Sequence, residues 1–419
     1  VIVDEEHEPS FKQHDPAPRY HARDVTMWLG AKHGVRVVLG SATPSVESVW
    51  LAQQGRVKHV GLIERYGGVM LPEILCADLR KAHKQRAMSG PFSRDLLLAM
   101  EETLKEQRQV ILFINRRGFA PVWMCEGCAY VSECERCDVP LTQHKWKDQL
   151  DCHHCGYHIP VPRVCPSCGG TALGPKGAGT ERVVEDLAQY LPQARVARMD
   201  LDTTRSKNAH SRLVEAFGQR QFDVLVGTQM VTKGLDFAHV GLVGVLSADR
   251  LLNHADFRSF ERAYAMLTQV AGRSGRSGAR GKVILQTFSP DHWVLDKVMR
   301  HDFSGLVEQE LRDRRESLYP PYARLIRIVL RHTDAQRLTQ SADALATMLR
   351  AAVGLERVIG PEVPPIARIN DLYHRVLLLK FERKAVPAKY KPVIQQVLTQ
   401  FSTTDKWKRI RVTVDVDPV

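Results

Sequence analysis

The 419-residue sequence predicts an α/β protein with two parallel-sheet segments, a cysteine-rich insertion and a C-terminal α+β domain. Three observations carry this. Short apolar runs alternate with helix-length amphipathic stretches through most of the first 290 residues, the pattern of a parallel sheet with crossover helices. Eight of the nine cysteines form four C-x2-C pairs between residues 125 and 168. The last part runs strand–helix–strand–strand–helix–strand, the split βαβ order. A chain this long exceeds one ordinary core, so several domains are expected. We place them at 1–66, at 67–120 with 175–290, at 121–174 for the insertion, and at 291–419.

In order, "VIVDEE" reads as a buried strand and "RYHARDVTMWLGAKHG" as a helix stopped by Gly34. "VRVVLG" is a second buried strand, and "TPSVESVWLAQQG" a helix with Pro44 near its start and Gly55 past its end. The glycine- and proline-rich stretch 61–91 connects two domains and contains one strand, "EILCAD". Ser93 caps "RDLLLAMEETLKEQ", and "QVILFIN" follows as a strand. After the cysteines, "GTERVVEDLAQYL", "RVARMD", "RLVEAFG", "FDVLVGT", "GLVGVLSAD", "ERAYAMLTQVAG" and "GKVILQTF" continue the alternation. Residues 291–316 read as helical. The tail then offers "ARLIRIVLRH" as a strand, "AQRLTQSADALATMLRAA" as a helix, strands near 363–369 and 373–381, the helix "YKPVIQQVLTQF", and the strand "RIRVTVDV".

Hydrophobic content of 44% and charged content of 25% are ordinary for a soluble protein. No apolar run approaches the roughly 20 residues needed to span a bilayer, and no basic amphipathic helix with a strong apolar face suggests a membrane surface. No signal peptide is visible; the odd cysteine total and paired spacing argue for metal over disulfides, so a reducing, cytoplasmic compartment is expected. The net charge of +12 favours polyanionic partners without selecting one.

The cysteine pairs are Cys125/Cys128, Cys134/Cys137, Cys152/Cys155 and Cys165/Cys168. Two intervening residues let both thiolates face one ion, and zinc takes four such ligands in a tetrahedron. Eight thiolates make two closed structural sites with no position left for catalysis. The 134/137 and 152/155 pairs stand at ribbon-like spacing, which joins the outer pairs to each other in a nested arrangement. Consecutive pairing would require a cramped hairpin of five residues between the first two knuckles. Lys145, Trp146 and Lys147 set an aromatic between two cations, a pattern suited to stacking on bases beside phosphate and equally to a solvated loop tip.

The first strand delivers Asp4, Glu5, Glu6 and His7. In nucleotide triphosphatases a strand-end aspartate holds Mg2+ and a neighbouring glutamate polarises the attacking water. Later come "GSATPS" at 40–45, "LFINRRGFAP" at 112–121, "VLVGTQMVTKGLDFAHV" at 224–240 and "QVAGRSGRSG" at 269–278. Arg273 and Arg276 stand three apart beside glycines, so both guanidinium groups can reach one phosphate. In order, these strings resemble motifs II to VI of a superfamily 2 helicase. With the cysteine block inside the second lobe, the chain resembles the bacterial primosomal replication-restart helicases over essentially its whole length.

That resemblance implies RecA-like helicase lobes, the first incomplete, and an ATP- and Mg2+-dependent motor moving 3′ to 5′ on DNA. It assigns catalytic roles to Asp4, Glu5, His7, Gln269, Arg273 and Arg276, with Arg276 the likelier finger and Arg273 close to the γ-phosphate. Asp4, Asp236, Arg273 and Arg276 would touch magnesium nucleotide. Arg116, Thr228 and Lys233 would touch DNA, and Ser41 and Thr43 would couple nucleotide state to lobe position. The loop "SFKQHDPAPRYHARD" places Phe11 and Tyr20 among Lys12, Arg19 and Arg23, and resembles the aromatic loop that links DNA binding to hydrolysis. The implied partners are forked and single-stranded DNA, single-strand-binding protein and other primosome proteins, with a monomeric chain.

The phosphate loop G-x-x-x-x-G-K-[ST] is not found in these residues. The nearest string, "GARGKV" at 278–283, has Val after the Lys and feeds a strand. We therefore expect a fragment whose phosphate grip lies upstream of Val1, deficient in ATP hydrolysis on its own. The competing reading is a non-enzymatic zinc module that binds DNA or protein on an inert α/β scaffold. Such a binder would not need Asp4, Glu5, Gln269, Arg273 and Arg276 together.

Overall fold

A computed structural model describes residues 1–419 except 63–67, 69, 116–121, 145–147, 177–178, 201–202, 205–207, 233–236, 254–255, 276–279, 386 and 419. The chain divides into two compact units. One comprises Val1–Val57, Val122–Lys176 and Gln309–Val419; the other comprises Lys58–Pro121 and Gly177–Glu308.

The second unit is built on six parallel strands in the order Val196–Met199, Val224–Gly227, Gln109–Phe113, Val240–Val245, Lys282–Thr287 and Glu73–Asp78. Every residue of Gln109–Phe113, Val224–Gly227 and Val240–Val245 is buried. Helices cover both faces, so these strands read as unbroken apolar runs instead of alternations. Ile111 and Phe113 enter one core with Phe217, Tyr264 and Leu267, while Val110 and Leu112 enter the other with Phe92, Leu96 and Met100. The helix Arg94–Lys105 begins where Ser93 Oγ accepts the Leu96 amide at 3.3 Å. Glu73–Asp78, expected within a connection, is the edge strand of this sheet.

In the first unit, Val1–Val57 holds a two-stranded parallel pair, Ile2–Val3 with Val38–Leu39. The expectation of two buried strands is corrected here: Ile2 is 77% and Val38 57% exposed. Among the described residues no third strand joins the pair, so only Val3 is buried and Leu39 is half-buried. The helix Ala22–His33 ends at Gly34, whose φ of 67° is a left-handed cap that glycine takes without strain. The cysteine insertion is a five-stranded antiparallel sheet in the order His158–Pro160, Gln149–Asp151, Thr142–His144, Val122–Cys125, Leu173–Lys176.

The tail is an antiparallel sheet ordered Val358–Glu362, Leu372–Glu382, Ala323–His332, Arg411–Val416, with Arg368–Ile369 pairing Leu372–Tyr373. Helices Ala335–Val353 and Pro387–Thr403 pack on the face carrying Ile326, Ile328, Leu377 and Leu379. The strand expected at 363–369 lies instead at Val358–Glu362, with a short second one at Arg368–Ile369. Pro364 and Pro365 sit between them, and proline has no amide to donate to a ladder.

Candidate active site and metal centres

Asp4 is exposed at the turn that follows Val3, and its Oδ1 accepts the Glu5 amide at 3.0 Å. Glu5 stands at φ 49°, a left-handed conformation costing a residue with a side chain about 1 kcal/mol. The cost is borne because the next residue is locked. Glu6 is buried and accepts from the Ser45 amide at 2.6 Å, Ser48 Oγ at 3.0 Å, Ser45 Oγ at 3.1 Å and Arg23 Nη1 at 2.9 Å. Burial alone would lower the Arg23 guanidinium, but Asp24, Glu6 and Glu47 outweigh it and hold its pKa above the ordinary value. His7 Nδ1 lies 2.7 Å from Ser41 Oγ and 3.6 Å from Glu5 Oε2. Ser41 Oγ also accepts the Thr43 amide at 3.0 Å. Backbone bonds from Glu6 N to Gly40 O and from Gly40 N to Val3 O close the assembly at 3.1 and 2.8 Å. Asp4, Glu5, His7, Ser41 and Thr43 are therefore gathered in one polar knot. Its anchor is Glu6, one of the carboxylates the strand delivers; the sequence hides the anchoring role because the partners stand 17, 39 and 42 positions away.

The neighbouring aromatic loop is built around partnered cations. Phe11 is half-buried in the turn Pro9–Phe11, and Tyr20 is exposed. The cations around them have partners within the protein. Lys12 is buried: its Nζ pairs with Asp415 Oδ1 at 2.9 Å and donates to the carbonyls of Val416 at 2.7 Å and Arg19 at 2.9 Å. Arg23 is committed to Glu6 and Asp24, and Arg19 stands 3.4 Å from Asp15. A lysine with three short partners and little solvent is a structural cation.

In the six-stranded unit, Thr228 follows the strand Val224–Gly227 at its C-terminal end, where parallel sheets bind ligands. It is buried; its amide donates to Met199 O at 3.3 Å, and its carbonyl accepts from Val231 at 3.0 Å. The helix Ser259–Ala271 carries Gln269 in its last turn and releases Arg273 just beyond. Arg273 N donates to Val270 O at 3.1 Å, and the buried Ser274 Oγ donates to Ala271 O at 3.0 Å. The chain then crosses Gly281 so closely that a Cβ there would sit 2.6 Å from Gly275 N. The backbone beneath Arg273 is thus fixed on both sides. Arg116, Lys233, Asp236 and Arg276 lie outside the described residues, as do Lys145, Trp146 and Lys147. Asp4, Glu5 and His7 belong to the first unit, and Thr228, Gln269 and Arg273 to the second.

The eight paired cysteines form two clusters, Cys125/Cys128/Cys165/Cys168 and Cys134/Cys137/Cys152/Cys155, with the sulfurs of each within 4.8 Å of one another. This is the nested pairing. Sulfurs 3.7 Å apart at Cys125/Cys168, 3.6 Å at Cys128/Cys165 and 3.6 Å at Cys134/Cys155 are too distant for disulfides. They match the edge of about 3.8 Å that a tetrahedron with bonds of about 2.3 Å requires. The donor sets fit two structural zinc ions with no open position. Burial pushes the Cys134 thiol up to about 12 and raises Cys137 as well, so a divalent cation is what would keep these sulfurs as thiolates.

Comparison with known proteins fits this architecture piece by piece. A model described as "Primosomal protein N C-terminal domain" matches residues 315–419. One described as "PriA DNA helicase Cys-rich region (CRR) domain" matches 134–160, and "Helicase conserved C-terminal domain" matches 178–278. Replication restart protein PriA of Bacillus subtilis (strain 168) is 40% identical over 419 residues, covering 100% of this chain and 51% of that protein. The protein of the same name from Synechocystis sp. is 42% identical over 91% of this chain and 47% of its own length. That from Haemophilus influenzae is 36% identical over 100% and 56%. The chain belongs to the PriA family. It spans about half the length of the curated PriA relatives it matches. The matches thus make the six-stranded unit a helicase C-terminal domain, the cysteine module a PriA-type Cys-rich region, and the tail a primosomal C-terminal domain.

Proposed function

We propose that this chain works within an ATP-dependent 3′–5′ DNA helicase of the bacterial cytoplasm. The whole protein would recognise stalled or branched replication forks and help reload the replicative helicase. The observation that carries the reading is the polar knot around Asp4, Glu5 and His7. Four hydrogen bonds to buried Glu6 hold an adjacent carboxylate pair in a strained turn against Ser41 and Thr43. A passive scaffold has no use for that arrangement.

Magnesium bound with ATP would neutralise charge on the phosphates. Asp4 would hold it, and Glu5 would accept the proton of the attacking water. His7 and Ser41 would pass the state of that turn to Thr43. Gln269, Arg273 and Arg276 would meet the γ-phosphate from the six-stranded lobe, with Asp236 on the nucleotide. Arg116, Thr228 and Lys233 would hold the DNA backbone, with Tyr20 and Phe11 stacking on unpaired bases. Single-strand-binding protein and other primosome proteins are the proposed partners, and a monomer the proposed state.

The test is steady-state ATPase with single-stranded DNA. Full-length protein should turn over ATP, and Glu5→Gln should lower the DNA-stimulated rate about 100-fold or more while sparing DNA binding. Because none of the 419 residues forms the phosphate loop, the chain alone should show little turnover. Undiminished hydrolysis by Glu5→Gln would end the enzymatic reading.

A further inference from the structure

The inner cysteine cluster does not stop at its four sulfurs. In the C-terminal domain, Arg368 pairs with Tyr373 and Ile369 with Leu372, so the chain reverses through Asn370 and Asp371. Their φ values of 51° and 63° give a hairpin turn with both central residues left-handed, a conformation Asn and Asp tolerate best after glycine. The tip of this hairpin sits against the Cys134–Cys137 knuckle. Asn370 N–H donates to Cys137 Sγ at 3.2 Å. Asp371 N–H donates to Arg136 O at 2.9 Å, and Asp138 N–H to Arg368 O at 3.0 Å. Two ion pairs cross in opposite senses, Arg136 Nε to Asp371 Oδ2 at 2.6 Å and Arg368 Nε to Asp138 Oδ1 at 3.1 Å. Ile369 packs on the small core of Trp123, Leu141 and Leu150 between them.

Origin sets the Cys137 contact apart. Cys134 and Cys155 each accept an amide from two residues onward, Arg136 and Tyr157, both at 3.4 Å. That is ordinary knuckle geometry. The amide on Cys137 comes from 233 residues away. An N–H aimed at a ligand sulfur fixes the direction in which that sulfur faces the ion, as outer partners of metal ligands do. The two ion pairs are half-exposed and contribute little energy by themselves; their crossed geometry sets the register that puts Asn370 N–H on the sulfur. In the outer cluster the described sulfur contacts stay inside the module, between Cys125 and Cys168, between Cys128 and Cys165, and from the Gly170 amide to Cys168.

We propose that the Asn370–Asp371 turn is an outer part of the inner zinc site, so that zinc retention there and docking of the C-terminal domain on the module form one linked equilibrium. Linkage is reciprocal: the factor by which docking tightens the metal is the factor by which the metal tightens docking. Outer partners of metal ligands typically change affinity by about 10- to 100-fold. The inner ion should therefore report the state of the C-terminal domain, and the outer ion should not.

The experiment follows zinc release from the zinc-loaded full-length protein into a chromogenic chelator, with Cys134→Ser used to identify the phase of the inner ion. Asn370→Val puts a β-branched residue where φ is positive and should speed release of the inner ion about 10- to 100-fold. Asn370→Gly keeps the turn and should leave release unchanged. Asp371→Arg should also speed the inner phase, and the swap Arg136→Asp with Asp371→Arg should restore it. In the unaltered protein, stripping zinc should raise amide exchange at 369–372. Unchanged release in Asn370→Val and Asp371→Arg overturns the proposal. So does equal acceleration of both ions, which would mean that the module as a whole has loosened.

Discussion

In the six-stranded sheet, Thr228, Gln269 and Arg273 hang from strands and a helix buried among apolar neighbours; in the two-stranded pair, Asp4, Glu5 and His7 hang from strands whose Ile2 and Val38 face solvent. The first region holds its motif residues by core packing. The second holds them by hydrogen bonds to one buried carboxylate, by the His7–Ser41 contact, and by Lys12 reaching Asp415 in the last strand. The difference teaches where each half is vulnerable. Apolar truncation should melt the sheet cooperatively, whereas loss of a single polar atom should displace the carboxylates and leave the sheet standing.

The largest expected effect concerns the lobe's charge alone. Arg273→Ala should cut DNA-stimulated hydrolysis by full-length protein by on the order of 1000-fold, with circular dichroism unchanged. Next, Phe113→Ala removes a fully buried ring from a central strand. It should cost about 3–5 kcal/mol, read as a lower Tm of the six-stranded unit. Glu6→Ala leaves Arg23 without its buried partner and should cost about 3 kcal/mol, confined to faster amide exchange in residues 1–50. If Glu6→Ala instead melted the six-stranded sheet, the contrast between the two regions would collapse.

The smallest effect is acid sensitivity. Side-chain hydrogen bonding to Arg195 holds the Asp223 carboxyl below its ordinary value, outweighing the opposing effect of burial. A carboxylate depressed in the fold adds stability above its unfolded pKa and loses it as pH falls through the folded one. Asp223→Asn should therefore lower the stability of this unit at neutral pH, change little once pH has fallen below the folded pKa, and so flatten the acid limb of the stability curve. Chemical denaturation at stepped pH would read it.

Much of this was legible in the sequence, for identifiable reasons. The runs at 110–113, 224–227 and 240–245 carry no polar or charged side chain because both faces of the sheet are covered. The four C-x2-C pairs named their ligands because the spacing itself makes the knuckle. What was hidden is burial of charge. Lys12 and Glu6 look like surface residues in a polar string, and only long-range contacts make them structural. The hairpin at 368–373 was hidden too: two residues on either side of Asn370–Asp371 carry no periodicity, and its register depends on the zinc knuckle.

The most direct test of the central claim is a double-mutant cycle on DNA-stimulated ATP hydrolysis by the full-length protein, using Glu5→Gln and Arg273→Ala. If both groups act on one transferring phosphoryl group, each single change should remove most of the rate and the pair should cost little more than the worse of the two. Full activity in either single variant, or losses that multiply independently, would contradict it.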